Sequence, residues 1–347
     1  MNKNLAQIKA YIRGRGFACE DTLVENYYLS LLTRPFVILA GMSNTDLTKL
    51  PELFAAALGA TRENGRYRCM EVEYDWMDTS DLFGRLNLEG KFIPGAIIDF
   101  LKQAYENPDK PYFLCFDKLI LSRAEYYLRE ILGIIETAEA GQTPGALVPA
   151  IYYGRDQEAL DTYGVIPKLD NLYIVGTLNL DQTSFPLNQK FMDRLHCLQI
   201  YPESITVNGV REEIPATELG NDFLRTPILR LEQCGEYQQK VMEFIAIFEE
   251  VNRILMTANA YVGFKIRNDG VVYLVNNYRT EALEQGDAVD HILTQKVLVR
   301  AQGNGKTVEP VLEKLLDYCR GRYPGAERKL NFMLEKCRTE GYTAYWI

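Results

Sequence analysis

Long hydrophobic runs are missing from this sequence. No apolar stretch approaches the roughly 18 residues that a membrane-crossing helix needs, and the N-terminus carries no charged-then-apolar leader. Neither a signal peptide nor a membrane span is expected, and the expected location is cytoplasmic. Histidine is scarce: His196 and His291 are the only imidazoles, each without a nearby ligand partner, which argues against a zinc site. The seven cysteines, at 19, 69, 115, 197, 234, 319 and 337, include no CxxC pair, so reduced and mostly structural thiols are expected. Cations are in the minority. With 38 basic against 47 acidic residues the net charge is −9, which argues against broad, sequence-independent DNA binding by this chain alone and leaves room for a local basic patch.

What is present is a chain of 347 residues with an ordinary hydrophobic share of 47%, enough for a full nucleotide-binding core and an accessory domain. Its most informative stretch is FVILAGMSNTDLTKLPELFAAALGA, residues 36 to 60. Phe36 to Ala40 reads as a buried parallel strand and Gly41 as a turn; Leu50, Leu53, Phe54, Ala57 and Leu58 mark the inner face of a helix that Gly59 closes. Strand, glycine turn and helix form the setting of a phosphate-binding P-loop, GxxxxGK[ST]. Laid on Gly41, that formula puts Asp46 at the second glycine, Leu47 at the lysine and Thr48 at the hydroxyl.

Each departure has a physical meaning. A carboxylate at 46 crowds and repels phosphate, and Leu47 forfeits a charge-assisted hydrogen bond of roughly 1.5–3 kcal/mol. Pro51 would break a helix begun at Thr45 or Asp46, so a late start near Thr48 is expected. Asp46 at the helix N-terminus suggests that the anion itself has been internalised where phosphate would sit.

Further strands alternate with helices. KPYFLCFDK (110–118), preceded by the helical AIIDFLKQAYENPD, ends in Asp117; LDNLYIVGTLNL (169–180) ends in Asn179. Strands separated by helices imply a parallel sheet covered on both faces, with its ligand crevice beyond the carboxyl ends of the strands, where Gly41, Asp117 and Asn179 all fall. Asp117 fits a Mg²⁺-holding carboxylate and Asn179 an amide that orients water; equally, they fit a strand-end cap and an Asx turn. Residues 201–232 read as an irregular insertion with short β-like pieces such as SITVNGV. Beyond it, YQQKVMEFIAIFEEVNRILMT (237–257) is amphipathic, and further helices are expected at 271–285, 287–300, 308–321 and 326–340. Gly305-Lys306-Thr307 reads as a polar loop. The pairs Tyr27-Tyr28 and Tyr126-Tyr127 read as helix packing.

The arrangement resembles the McrB-type branch of AAA+ NTPases, the motor subunits of modification-dependent restriction systems. The resemblance covers IKAYIRGRGF, LVENYYLSLLTRPFVILAG, YDWMDTSDLFGRLN (74–87), KFIPGAIIDFL (91–101), PYFLCFDKLILSRAEYYLREIL (111–132), NLYIVGTLNLDQTSFPLNQKFMDRL (171–195) and KLNFMLEKCRTEGYTAYWI (329–347). It implies an AAA+ αβα sandwich over residues 1–200 with a helical lead-in, an insertion or linker over 201–234 and a helical lid over 235–347. It places the Walker A remnant, with Gly41, Ser43, Asn44, Thr45, Asp46, Leu47 and Thr48, against ATP or GTP with Mg²⁺. Asp117-Lys118 stands at the Walker B Asp-Glu, and Asn179 at the sensor asparagine. Arg194 would be the arginine reaching a neighbouring subunit's nucleotide, and Arg267 a lid arginine. Lys118 replaces the glutamate that would polarise water, a loss of roughly 10²–10⁴ in rate. The expected protein is therefore a pseudo-NTPase with no cofactor, a structural or regulatory subunit in a restriction or anti-phage complex. Its expected partner is a catalytically intact AAA+ paralogue or a nuclease subunit, in a homo- or hetero-oligomer. The alternatives are an NTPase that still binds ATP or GTP through the loop amides and hydrolyses it slowly, with Asp117 holding Mg²⁺, and, ranked below both, a nucleic-acid-recognition module.

Overall fold

A computed structural model describes residues 3–346 apart from 18, 21, 44, 134–144, 182–186, 202–212 and 227–230. Five strands, β1 (Phe36–Gly41), β2 (Tyr67–Glu71), β5 (Tyr112–Asp117), β6 (Leu172–Asn179) and β7 (His196–Gln199), form one parallel sheet in the order β2-β5-β6-β1-β7. Two shorter strands, β3 (Gly84–Leu86) and β4 (Phe92–Pro94), form a separate antiparallel hairpin between β2 and the helix that leads into β5. The central strands are apolar on both faces. β1 is buried along its whole length, as continuous runs such as FVILA require when helices cover both sides.

The helices that cover this sheet include Lys3–Gly14, Leu23–Thr33, Lys49–Ala57 and Ile98–Glu106. Leu23–Thr33 is buried from Leu23 to Leu32, more than an amphipathic surface helix would be, because the later helix Phe264–Thr280 packs along it. The sequence places that later helix at 271–285; it begins at Phe264, after the extended Gly263, and Glu281 ends it in a left-handed conformation.

From Gln238 onward the chain is mainly helical: Gln238–Met256, Phe264–Thr280, Gln285–Ile292, Gly305–Cys319 and Pro324–Glu340. The helix expected over 287–300 does not run straight. It passes at Leu293–Val297 into a π-helical turn and then a 3-10 turn, Leu298–Arg300. Gly305-Lys306-Thr307 is the first turn of a helix rather than a polar loop, because the Asn304 side chain accepts from the Lys306 amide and caps it. A short antiparallel pair, Gly303–Asn304 with Tyr342–Thr343, closes the helical region. Of the stretch expected as an insertion, SITVNGV and Pro227 lie outside the described residues; short 3-10 turns occupy Asn221–Leu224, Leu231–Gln233 and Gly235–Tyr237. Among the described residues no helix is long and apolar enough to cross a membrane.

Helical region and sheet are joined by buried charge. Arg34, between the Leu23–Thr33 helix and β1, donates from Nε to Asp269 Oδ1 at 3.0 Å; Lys296, inside the π-helical turn, lies 2.8 Å from Asp269 Oδ2. Lys296 also donates to the carbonyls of Asp193 (3.1 Å) and Leu195 (2.8 Å), beside β7. All three charged side chains are almost completely enclosed. Burial alone would raise the Asp269 carboxyl, but the Arg34 and Lys296 charges outweigh it and hold it below the usual carboxylate range. His196, on β7, shares this pocket: burial and then the Lys296 charge push its imidazole well below its ordinary value, and neither ring nitrogen has a hydrogen-bond partner among the described residues.

Removing one member of such a cluster leaves uncompensated buried charge, a loss of about 3–5 kcal/mol. Asp269→Ala is expected to lower the unfolding free energy measured in urea by that amount, whereas the combined Arg34→Met, Asp269→Leu, Lys296→Met variant is expected to stay near neutral. The pH dependence follows from the depressed imidazole. The unfolded chain takes up the proton first, so stability is full above about pH 6.5 and falls as the pH drops below it. His196→Phe should remove part of that slope between pH 7 and 5, measured as urea midpoints; His291, pushed down to about 4 by burial, accounts for the part that remains.

Candidate functional site

Parallel register lines up the carboxyl ends of four neighbouring strands. Glu71 of β2 is opposite Asp117 of β5, and Asn179 of β6 is opposite Gly41 of β1. The expected site residues on the strands therefore share one edge of the sheet.

The loop after β1 is folded down on itself. Thr45 donates from both its amide (3.0 Å) and its hydroxyl (2.6 Å) to the Met42 carbonyl. Asp46 takes a left-handed φ of 51°, and its carbonyl accepts from the Lys49 amide at 2.8 Å. That turn sends Leu47 inward, where it is only 5% exposed. A Cβ added at Gly41 would meet Thr45 Oγ1 at 2.6 Å, Leu47 Cδ2 at 2.9 Å and the Ile200 carbonyl at 3.1 Å, so glycine is required for the loop to lie this close. Helix Lys49–Ala57 starts after Thr48, whose side chain makes no cap bond. Pro51 is thereby the third helical residue, among the first four amides, which have no intrahelical partner to lose. Asn44 lies outside the described residues.

Asp46 is not the internalised anion that the sequence suggests. Asp46 is exposed, because its left-handed backbone turns it outward and Leu47 inward. The carboxylate that meets the loop is Asp181, itself exposed: its Oδ1 accepts from the Ser43 amide at 3.0 Å and the Ser43 hydroxyl at 2.6 Å. The Ser43 hydroxyl holds the Asp181 carboxyl below its ordinary range. Asp181 follows Asn179 by two residues, and its position beyond a strand that borders β1 was the only signal for it in the sequence.

Asp117 is held by its neighbours. Its Oδ1 accepts from the buried Thr177 hydroxyl and from the Lys118 amide at 3.1 Å; that amide also donates to Thr177 Oγ1 at 3.0 Å. Lys118 has a left-handed φ of 55° and reaches across the sheet edge to Glu71, with Nζ 2.5 Å from Oε1. The Leu119 side chain that follows packs against Gly176, where an added Cβ would come within 2.7 Å of Leu119 Cδ2. The two arginines lie elsewhere in the fold. Arg194 is half-buried just before β7, and Arg267 stacks over the exposed Phe264, 4.8 Å from its ring centre, and donates to Asn268 Oδ1. Among the described residues no group of three His, Cys, Asp or Glu side chains is placed to hold a metal ion.

Comparison with known proteins bears on the fold. Residues 215–342 match a family described as a domain of unknown function, DUF8727. No curated protein matches the chain. The chain is similar to the crystal structure of a "putative ATPase" from Cytophaga hutchinsonii ATCC 33406, with 11% identity over 84% of this chain and 86% of that one and a TM-score of 0.50. A full-length MCM homolog from Methanopyrus kandleri aligns over 84% of this chain and 60% of its own, with 12% identity and a TM-score of 0.44. The architecture, a five-stranded parallel αβα sandwich followed by a helical region, is the fold that this chain shares with the Cytophaga hutchinsonii structure.

The left-handed backbone at Lys118 costs a non-glycine residue roughly 1–2 kcal/mol. The exposed pair with Glu71 returns roughly 0–1 kcal/mol. Lys118→Gly is therefore expected to leave stability unchanged or raise it by up to about 1 kcal/mol. A clear fall in the urea midpoint would reveal a structural role for the ammonium.

Proposed function

We propose that this chain is an McrB-like AAA+ pseudo-NTPase, a structural or regulatory subunit that does not hydrolyse nucleotide. One observation carries the reading: the loop that would cradle phosphate is satisfied by the chain's own groups, with Leu47 packed over Gly41 and Asp181 bound to the Ser43 amide and hydroxyl. These residues do not suit a Mg²⁺-triphosphate. The lysine position holds buried hydrocarbon, a fixed carboxylate faces the loop, and the cation beside Asp117 is paired with Glu71.

Without a nucleotide to set the lid, its position would come from the buried Arg34–Asp269–Lys296 contacts, which suits a subunit valued for its shape. The partner we propose is a catalytically intact AAA+ paralogue, with or without an associated nuclease, in a restriction or anti-phage complex. Arg194, just before β7, is the residue we assign to reach that partner's nucleotide. A second reading, residual binding with slow hydrolysis, is favoured by one feature: Asp117 and Asn179 still end adjacent strands beside Gly41.

Thermal unfolding separates the two. A ligand at 100 times its Kd adds about 2.7 kcal/mol to the folded state, a shift of several degrees for a chain of this size. With 1 mM ATP or GTP and Mg²⁺ no shift is expected; a clear rise accompanied by phosphate release would establish the second reading. In a reconstituted mixed complex, Arg194→Ala is expected to slow hydrolysis by the intact subunit, and an unchanged rate would remove the assignment to Arg194.

A further inference from the structure

Strand β2 is an edge of the sheet, laddered only to β5, and the register sets Cys69 of β2 directly opposite Cys115 of β5. In-register neighbours on a parallel pair point to the same face, and adjacent strands lie about 4.8 Å apart. That separation falls within the Cα–Cα range of about 4.4–6.8 Å that disulfides span. All seven cysteines are among the described residues and none is in a disulfide; six are buried and Cys69 is half-buried. The most accessible thiol of the molecule thus has a second, enclosed thiol as its cross-strand neighbour. We propose that Cys69 and Cys115 are a redox modification site, oxidised reversibly by a peroxide to a disulfide between β2 and β5.

The two sulfurs differ in the way a two-step oxidation needs. A hydrogen bond from Cys115 is the main influence holding Cys69 below the ordinary thiol value; burial and the Asp117 charge oppose it, and the nearby Arg62 supports it. The hydrogen bond to Cys69, then burial, push Cys115 well up. Cys69 is therefore the attacking thiolate and Cys115 the resolving thiol. The Cys69 thiolate attacks one peroxide oxygen, the O–O bond breaks, and the departing hydroxide takes a proton to leave as water, giving a sulfenic acid. The Cys115 sulfur then attacks Cys69 Sγ, the S–O bond breaks and a second water leaves, so two thiols and one hydrogen peroxide give one disulfide and two waters. On the same face, two residues further along each strand, stand Glu71 and Asp117. The bond would fix the edge strand beneath the Glu71–Lys118 pair.

The test uses the full reduced chain, treated with graded hydrogen peroxide, alkylated, digested without reductant and mapped by mass spectrometry. The expected result is a Cys69–Cys115 linked peptide, with two alkylatable thiols lost and both recovered with dithiothreitol. The proposal is overturned if Cys69 goes on to sulfinic acid while Cys115 stays alkylatable, or if neither thiol reacts. Cys115→Ala adds an independent readout. It should accumulate a dimedone-reactive sulfenic acid at Cys69 and form no link, whereas dimedone labelling no greater than in the wild type would also overturn the assignment. The wild-type map decides the matter even if that variant does not fold.

Discussion

Two buried cations and one buried carboxylate hold the two halves of this molecule in register. Arg34 leads into the inner strand β1, Asp269 sits on the helix Phe264–Thr280, and Lys296 hangs from the π-helical turn that follows Gln285–Ile292. None of the three could be enclosed alone, since a buried ion without its partner costs several kcal/mol. The halves therefore meet where the charges meet. The π-helical turn belongs to the same arrangement: the extra residue in the turn accompanies the placing of Lys296 against Asp269 and the carbonyls before β7, a local departure of the kind found where a side chain must be re-aimed.

The same economy of pairing governs the carboxyl edge of the sheet. Ser43 is taken by Asp181, Asp117 by Thr177 and a backbone amide, and Lys118 by Glu71. In an open nucleotide site some of these groups would wait for a ligand. Here the polar groups named all have partners within the chain, and the apolar Leu47 covers the glycine that the loop turns on. Lys329 shows the pattern again at the far end of the helical region. It is almost wholly enclosed, donates to Gln199 Oε1 at 2.8 Å and lies over the Tyr345 and Trp346 rings; burial pushes its ammonium down to about 7.

Much of the fold is legible in the sequence because it rests on local pattern. FVILAG, YFLCFD and LYIVGTLN announce buried parallel strands, and the apolar stripe of 237–257 announces a helix. The hairpin of β3 and β4 is less legible, since its strands are only three residues each, although Asn87 and Gly90 mark its turn: the Asn87 side chain accepts from the amides of Glu89 and Lys91. The site is legible in part. Which strand ends carry Gly41, Asp117 and Asn179 follows from periodicity. That Asp181 and not Asp46 faces Ser43 does not, because it depends on a left-handed residue in the loop and on a contact 138 positions apart in the chain. The buried charges left a fainter trace, polar residues on otherwise apolar faces, such as Asp269 between Ile266 and Tyr273.

The seat taken by Leu47 also limits what a single substitution there could achieve. A lysine placed at 47 would not find an anion waiting; it would enter a hydrocarbon niche above Gly41, where a bare ammonium is heavily penalised. Asp46 would have to give way to glycine, and Asp181 would have to release Ser43, before such a lysine had anything to hold. Residues 41, 43, 46, 47 and 181 are thus mutually dependent, and no single substitution among them opens the loop.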